Sequence, residues 1–351
     1  MDEQIYDSAT LLGVYWADDY MKPPENYWLS NFFTTEVQFD TEEIDFSKIS
    51  DVRKLAPLVV PTAQGVPIYS AAERLASVAP AYIKAKDPVT ATRMIRRAAG
   101  LGELGRNRTR LSPAARYGAI VADILRQHRY AVERRWEWMA SKAILDGKVT
   151  LKDDRYPERV VDFMRDPSHT IALTGGAQWG QSGVSILASL QAMRQIVRKA
   201  KFGGVTNRLT VGADVWEVMV KDPEIREFLN VQFKSGTNIN LKLGMREGLE
   251  VEYVGNIETL EVYVYSDYYE TPEGAAVPYM STKDIVLTGP SVRGVRAFGA
   301  IQDKKANWQP LSVFSKMWDE EDPSATMILT QSAPLMVPVN PNATLRASVL
   351  V

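Results

Sequence analysis

The sequence predicts an α+β protein with one domain inserted into another, and three observations lead there. A long helical pattern over 112–146 stands between two hairpin-like stretches. Strand and helix patterns mix over 183–298, and an apolar strand pattern over 326–337 returns after them. The order is therefore arm, hairpin, long helix, hairpin, mixed insertion and returning strand, with no internal repeat and no low-complexity tract.

The first 50 residues carry Tyr15, Trp16, Tyr20, Tyr27, Trp28, Phe32 and Phe33 among prolines and acids, with a short helix predicted over 8–19. They read as an extended arm, whose aromatics bury their area only where another surface receives them. From 54 to 89 the pattern is β-like: an apolar run begins at Leu55, a turn falls at Ala63-Gln64-Gly65, and a second run over 79–86 is placed to pair back. Pro57, Pro61, Pro67, Pro80 and Pro88 lack the N–H of a central strand, so they belong at edges, ends or bulges. The product is a long two-stranded projection, marginal unless it rests on something else.

Residues 112–146 make the clearest element. Ser112 is a candidate N-cap, Pro113 suits the first helical position, and Ile120, Val121, Ile124, Leu125, Val132, Trp136, Met139, Ala143 and Ile144 form an apolar stripe ended by Gly147. Such a helix extends about 50 Å. Arg126, His128, Arg129, Arg134 and Arg135 occupy much of the remainder, which predicts a strongly basic face. A hairpin follows with strands near 149–151 and 159–163, and then glycine-rich 174–183, read as a flexible hinge. A helix over 184–201, a strand over 208–211 and a helix over 213–229 with a break at Asp222-Pro223 come next. Alternation over 249–269 and short strands at 284–288 and 294–302 precede the returning strand.

Composition excludes several classes of chemistry. The chain has 351 residues, 45% hydrophobic and 24% charged, with no cysteine and 2 histidines. A folded globular chain is expected, and disulfide scaffolds, thiolate metal sites and thiol enzymes are out. The longest apolar run, 55–60, falls far short of the roughly 20 residues that a membrane helix needs. The acidic N-terminus is unlike a secretory signal, so synthesis is expected in the cytoplasm.

The formal charge of -2 conceals an uneven distribution. Residues 1–50 carry 11 acidic and 2 basic side chains, a net of -9; residues 51–150 carry 18 basic and 8 acidic, a net of +10; the remainder is at -3. The most basic stretch holds Arg93, Arg96, Arg97, Arg106, Arg108, Arg110 and Arg116 around Glu103. Three readings compete: phosphate neutralisation on nucleic acid, pairing with the acidic arm of the same or a neighbouring copy, and two solvated faces whose exposed pairs contribute only about 0–1 kcal/mol each.

No motif argues for an enzyme. The 174–183 stretch lacks the Gly-Lys-Ser/Thr ending of a phosphate loop. The carboxylate runs Glu42/Glu43/Asp45 and Asp319/Glu320/Glu321/Asp322 read as solvated turns and match no calcium-loop spacing. His128 and His169 sit in no metal or triad pattern. Asn107-Arg-Thr and Asn342-Ala-Thr match a glycosylation pattern, read as chance without a secretion signal. No catalytic, cofactor-binding or metal residue is expected.

Taken together, several segments resemble the major capsid proteins of lambda-like tailed bacteriophages, the phage major capsid protein E family. They are Phe33-Thr-Thr-Glu-Val37, Pro80-Ala-Tyr-Ile-Lys-Ala-Lys86, 141–150 at the helix end, Thr174-Gly-Gly-Ala-Gln-Trp179, Gly299-Ala-Ile-Gln-Asp303 and Thr330-Gln-Ser-Ala-Pro-Leu-Met336. Their order and spacing carry the resemblance, which covers most of the chain and is looser in letters over 183–298. It implies the Hong Kong 97 coat-protein fold: an N-arm over 1–48, an extended loop over 49–111, a peripheral domain with its spine helix and hairpin over 112–182, an axial domain over 183–298, and returning peripheral strands over 299–351. It implies an icosahedral shell around double-stranded DNA, with other copies, a scaffolding protein, a portal and a decoration protein as partners. Assembly in the host cytoplasm and a final place in the virion follow from it, and no membrane partner.

Trp16, Trp28, Phe33, Arg93, Arg96, Arg97, Arg106, Arg108 and Arg110 are then the expected subunit contacts, and Arg126, Arg129, Arg134 and Arg135 the DNA-facing residues. Some members of the fold crosslink a loop lysine to a neighbour's asparagine. Lys84 or Lys86 with Asn340 or Asn342 are the pairs to consider, and no crosslink is expected. A basic nucleic-acid-binding protein is the alternative reading.

Overall fold

The computed structural model describes residues 26–40, 44–47, 75–78, 80–90, 113–153, 156–226, 251–271, 273–322 and 324–350. Helix α1 (Tyr27–Phe32) leads into β1 (Thr35–Gln38), and β2 (Ile44–Ser47), β3 (Leu75–Val78) and β4 (Ile83–Thr90) precede the long helix α2 (Pro113–Leu145). The hairpin β5 (Lys148–Asp153) and β6 (Tyr156–Asp162) follows, then β7 (Thr170–Ala172), α3 (Ile186–Lys199), β8 (Arg208–Gly212) and α4 (Ala213–Lys221). Next come β9 (Val251–Ile257), β10 (Leu260–Tyr265), β11 (Tyr268–Glu270), β12 (Ala276–Pro278), β13 (Asp284–Thr288) and β14 (Gly294–Phe298). The chain closes with β15 (Phe314–Glu320), β16 (Ala325–Ser332), β17 (Pro334–Pro338) and β18 (Leu345–Ser348).

The largest sheet has the order β7-β18-β13-β8-β10-β9. Its strand alternation sends successive residues to two different cores. Leu209, Val211, Val262, Val264, Ile285 and Leu287 pack under α3 and α4, while Val286 and Tyr265 face the opposite core with α1 and α2. Helix α3 meets the sheet through Ile186, Leu190, Met193 and Val197, the spacing of one helical face. Ser185 caps it by accepting the Ala188 N–H at 3.1 Å.

Helix α2 serves two cores in turn. Its first half places Ile120, Val121, Ile124 and Leu125 against Val89 of β4 and Ile328 of β16. Its second half places Val132, Trp136, Met139, Ala143 and Ile144 against α1, β14, β17 and the β5–β6 hairpin. The helix ends where Gly147 turns left-handed at φ 66, and a β-carbon there would lie 2.6 Å from that of Arg165. The Arg165 guanidinium donates to the Ile144 and Leu145 carbonyls at 2.7 Å each and to Thr170 Oγ1 at 2.7 Å, so a buried cation meets the negative end of the helix. Burial pushes its pKa down to about 10, with Asp146 opposing, and it stays charged at neutral pH. Arg346 on β18 bonds Asp146 at this helix end and the buried Asp284 of β13, tying the largest sheet to α2.

Several expectations are corrected. The apolar stretch 326–337 is two strands in two sheets: β16 lies between β15 and β4, and β17 pairs with β14. Between them the Ala333 carbonyl accepts the Gly299 N–H at 2.9 Å, so the chain changes sheets there. The run over 79–86 contributes to β4, which pairs with β16; its pairing with the run from Leu55 lies outside the described residues. Pro88 sits on β4 at the edge of that sheet, as its missing N–H requires.

The glycine-rich 174–183 stretch is pinned rather than hinge-like, because Trp179 is buried and its N–H donates to the Val349 carbonyl at 3.0 Å. The boundaries at 182/183 and 298/299 are crossed by hydrogen bonding. Strands β7 and β18, expected with the peripheral part, belong to the largest sheet, and β14, expected in the insertion, pairs with β1 and β17. The helix predicted over 8–19 lies outside the described residues. Among the described residues no helix is long and apolar enough to cross a membrane.

Two substitutions test the helix end. Arg165→Ala removes the short guanidinium bonds to two buried carbonyls, leaving Ile144 only the longer bond from Thr344 Oγ1 at 3.4 Å, and should cost about 3 kcal/mol of unfolding free energy. Gly147→Ala forces a left-handed alanine against Arg165 and should cost at least about 1 kcal/mol. Urea unfolding with unchanged midpoints would remove this cap from the account of the fold.

Candidate assembly site

Helix α1 and strand β4 are both held against α2. Six-residue α1 is too short to persist alone. It is held because Glu137, 1% exposed on α2, accepts the Trp28 N–H through Oε1 and the Leu29 N–H through Oε2, both at 2.8 Å. A carboxylate at a helix N-terminus is favoured by the helix dipole and by its unmet amides.

Above this anchor the rings interlock. Tyr27 meets Trp28 edge-on at 5.1 Å and Tyr265 at 5.5 Å, and the Trp28 and Phe32 rings stack at 5.9 Å. The Tyr27 hydroxyl and Thr210 Oγ1 of β8 are 2.9 Å apart. Burial pushes the Tyr27 phenol up to about 12, with the Thr210 bond and Arg208 opposing, and burial followed by the Glu137 charge pushes Tyr265 up further still. Arg208 closes the cluster, donating to Asn31 Oδ1 at 2.9 Å with its guanidinium 4.7 Å from the Tyr263 ring centre.

Trp28 and Phe33, expected to reach a neighbouring subunit, are 0% and 1% exposed in their own chain. In the single chain α1 and the residue after it bring both rings into the core beside α2, so their burial does not wait for a neighbour. Phe33 fits because Gly294 lies beneath it, where a β-carbon would stand 2.3 Å from the ring. Strand β1 then extends the sheet in parallel with β14.

The second attachment is that of β4. His128 is buried on α2 at the boundary between its two cores, with Nδ1 3.1 Å from Thr330 Oγ1 on β16 and Nε2 2.9 Å from Asp87 Oδ2 on β4. It is a structural tie across three elements. Strand β2 pairs with β3 in a separate two-stranded ribbon, joining the expected arm to the expected extended loop.

The predicted basic face of α2 is largely neutralised. Arg129 Nε donates to Glu133 and Arg135 to Asp153, each at 2.8 Å, while Arg134 is exposed and Arg126 half-buried. Trp16, Arg93, Arg96, Arg97, Arg106, Arg108 and Arg110 lie outside the described residues. Asn342 is held at both ends of its amide: Nδ2 donates to the Lys201 carbonyl at 3.1 Å and Oδ1 accepts the Asp166 N–H at 2.8 Å. Asn340 donates to the Ser291 carbonyl at 3.1 Å, and Lys86 faces Glu320 at 3.8 Å. His169 is buried with Nδ1 2.8 Å from the Thr344 carbonyl.

Glu137 was not singled out by sequence reasoning. One turn away on α2 lie Glu133, Arg134, Ala140 and Ser141, so its position reads as a mixed polar face and gives no local signal of burial. Glu137→Ala would leave two buried amides without an acceptor and should lower stability by about 2–4 kcal/mol. Glu137→Gln, which keeps one acceptor, should lose less. Equal denaturation midpoints for the alanine variant and the parent would refute this anchor.

With this geometry in place, comparison with known proteins assigns the chain. The family model described as phage major capsid protein E matches residues 19–349. The major capsid protein of Enterobacteria phage P21 is 27% identical over 320 residues, covering 90% of this chain and 91% of that protein. That of Escherichia phage lambda is 26% identical over 343 residues, covering 96% and 97%. The crystal structure of an Escherichia coli CFT073 prophage protein described as a capsid protein superposes with a TM-score of 0.72 at 20% identity, covering 98% of this chain and 99% of that one. The fold built around α2 and this match over nearly the whole sequence agree, and the chain belongs to the phage major capsid protein E family.

Proposed function

We propose that copies of this chain assemble, with the Hong Kong 97 architecture, into the closed icosahedral shell of a tailed-phage head around double-stranded DNA. One observation carries the mechanism: β2 and β3 form a ribbon of four residues per strand, joined to no other sheet among the described residues. A two-stranded ribbon is marginal in water and gains stability by lying on another surface. In a shell that surface is a neighbouring copy, and repetition of the contact around rings closes the assembly. Interlocked arms and loops would then exceed an ordinary interface of about 1,600 Å².

In this reading, residues 1–25 together with the Arg93, Arg96, Arg97, Arg106, Arg108 and Arg110 stretch supply contacts between copies through opposite charge. Arg134, exposed on α2, is the better DNA-facing residue of the four, since Arg129 and Arg135 are ion-paired within the chain. Scaffolding, portal and decoration proteins complete the set of partners, and assembly takes place in the host cytoplasm. The alternative, a basic nucleic-acid-binding protein, draws no support from the family or the relatives.

Negative-stain microscopy of the purified chain should show shells or capsomer rings; monomers that shift on DNA with a steep salt dependence would favour the alternative. Deleting 1–24, which spares the Glu137 anchor, should abolish stable shells while leaving a folded subunit, whereas deleting 1–45 should unfold the core as well. Arg93→Glu, Arg96→Glu and Arg97→Glu together should block assembly or maturation, and unchanged shell yield would make that cluster a solvated face. Because Asn340 and Asn342 are held by their own chain, shells boiled in detergent should run as monomers; a covalent ladder would contradict this.

A further inference from the structure

Strand β1 leaves one edge of its sheet open. The order β1-β14-β17 puts it at the margin, parallel to β14, and among the described residues no strand lies on its other side. Thr35, Glu36, Val37 and Gln38 are all exposed, so both faces of the strand meet solvent. Folded proteins blunt such edges with proline, charge or bulges, because a bare row of amides and carbonyls invites another strand. Other edge strands of this chain follow that rule: β4 carries Pro88, β15 carries Lys316, Asp319 and Glu320, and β9 is bulged beside Gly255. Strand β1 has no proline, an unbroken register and one charge, Glu36.

The backbone fixes which groups are open. The Phe39 N–H donates to the Phe298 carbonyl at 2.8 Å, so Phe39 turns its polar groups toward β14. In a strand the N–H and C=O of one residue point to one side and those of its neighbours to the other. Thr35 and Val37 therefore also turn toward β14, while Glu36 and Gln38 turn their N–H and C=O outward. That outward set is symmetric about Val37, as an antiparallel copy of the same strand requires. With Val37 on a two-fold axis, Glu36 faces Gln38 of the second copy and Gln38 faces its Glu36, each pair exchanging two backbone bonds, and the two Val37 residues form the non-hydrogen-bonded pair between them. Every outward group of the strand is then used.

We propose that β1 pairs antiparallel with β1 of a second copy, joining their two three-stranded sheets edge to edge. The contact rests on the shell reading and deepens it, since it names one isologous interface by which copies meet. The side chains select this register. Each Glu36 carboxylate lies opposite a Gln38 amide, a donor, and within one chain Gln38 Nε2 already donates to Glu36 Oε1 at 3.3 Å. A slip of two residues one way sets Glu36 against Glu36, and a slip the other way sets it against Asp40; like charges directly opposite are unfavourable. A slip of one residue turns outward groups onto residues that face β14. Val37, 37% exposed in the lone chain, meets its own equivalent.

The chain has no cysteine, so Val37→Cys supplies a single thiol per copy. Residues in a non-hydrogen-bonded antiparallel pair have Cα atoms about 4.5 Å apart, within disulfide range, whereas the two Thr35 residues would stand roughly 13 Å apart along the strands. Val37→Cys and Thr35→Cys are each co-assembled with an equal share of wild-type copies, so that closure of the shell does not depend on the variant, and mildly oxidised. Val37→Cys should give a disulfide dimer band at least tenfold stronger than Thr35→Cys. Adding Gln38→Pro, which removes an outward N–H and no bond to β14, should weaken that band at least tenfold. Shells that take up Val37→Cys copies yet give no dimer, equal bands from the two positions, or a band that Gln38→Pro leaves unchanged would each overturn the contact and leave the shell reading intact. Wild-type chain that forms no particle under the microscope refutes the shell reading and this contact with it.

Discussion

The carboxylate of Glu137 is the interaction on which the rest of the subunit converges. A buried charge costs several kcal/mol unless its oxygens are fully engaged. Here they take the first amides of α1, a helix that could not form without them. With α1 fixed, Tyr27, Trp28, Phe32 and Phe33 fill the space between α2 and one face of the largest sheet. The opposite face of that sheet is covered by α3 and α4, so both of its surfaces are dry only when the N-terminal segment is in place.

The same helix carries two further pins. His128 ties α2 to β16 and β4, and Arg165 ties its last turn to Thr170 and Thr344. Each is a polar side chain buried with its partners met, and such groups fix register where apolar packing alone tolerates sliding. A 33-residue helix anchored at three levels behaves as a rigid beam, and the segments that leave it inherit defined directions. That is the property a shell subunit needs, because small errors in direction accumulate around a closed surface.

Much of the local structure was legible in the sequence. The opening proline and apolar stripe of α2, the β5–β6 hairpin, the face of α3 and strand β13 all follow from periodicity and turn chemistry, and the resemblance segments point to the same family as the comparison. The partners of those elements were less legible. The stretch over 326–337 reads as one apolar strand because nothing in its letters marks Ala333 as the point where the chain changes sheets. Strand β18 carries no sign that it slots between β7 and β13. The spacing of the arm aromatics matches no helix face or strand, which in the sequence points to a neighbour as their receiving surface. For Tyr27, Trp28, Phe32 and Phe33 the receiving surface is their own chain, to which α1 is held by Glu137 more than 100 residues away.

By itself the sequence determined the segment order, the long helix, the split of charge into an acidic first 50 residues and a basic next 100, and the exclusion of disulfides, since no cysteine is present. These are properties of composition and of neighbours a few residues apart. The tertiary structure decided which rings are spent at home, that Arg129 and Arg135 of α2 form ion pairs within the chain, and which strands share a sheet. Those outcomes depend on contacts such as Tyr27 with Thr210, 183 residues apart. Hydrogen-bond partners and burial at that separation follow from the packing of the whole chain, which local periodicity does not encode.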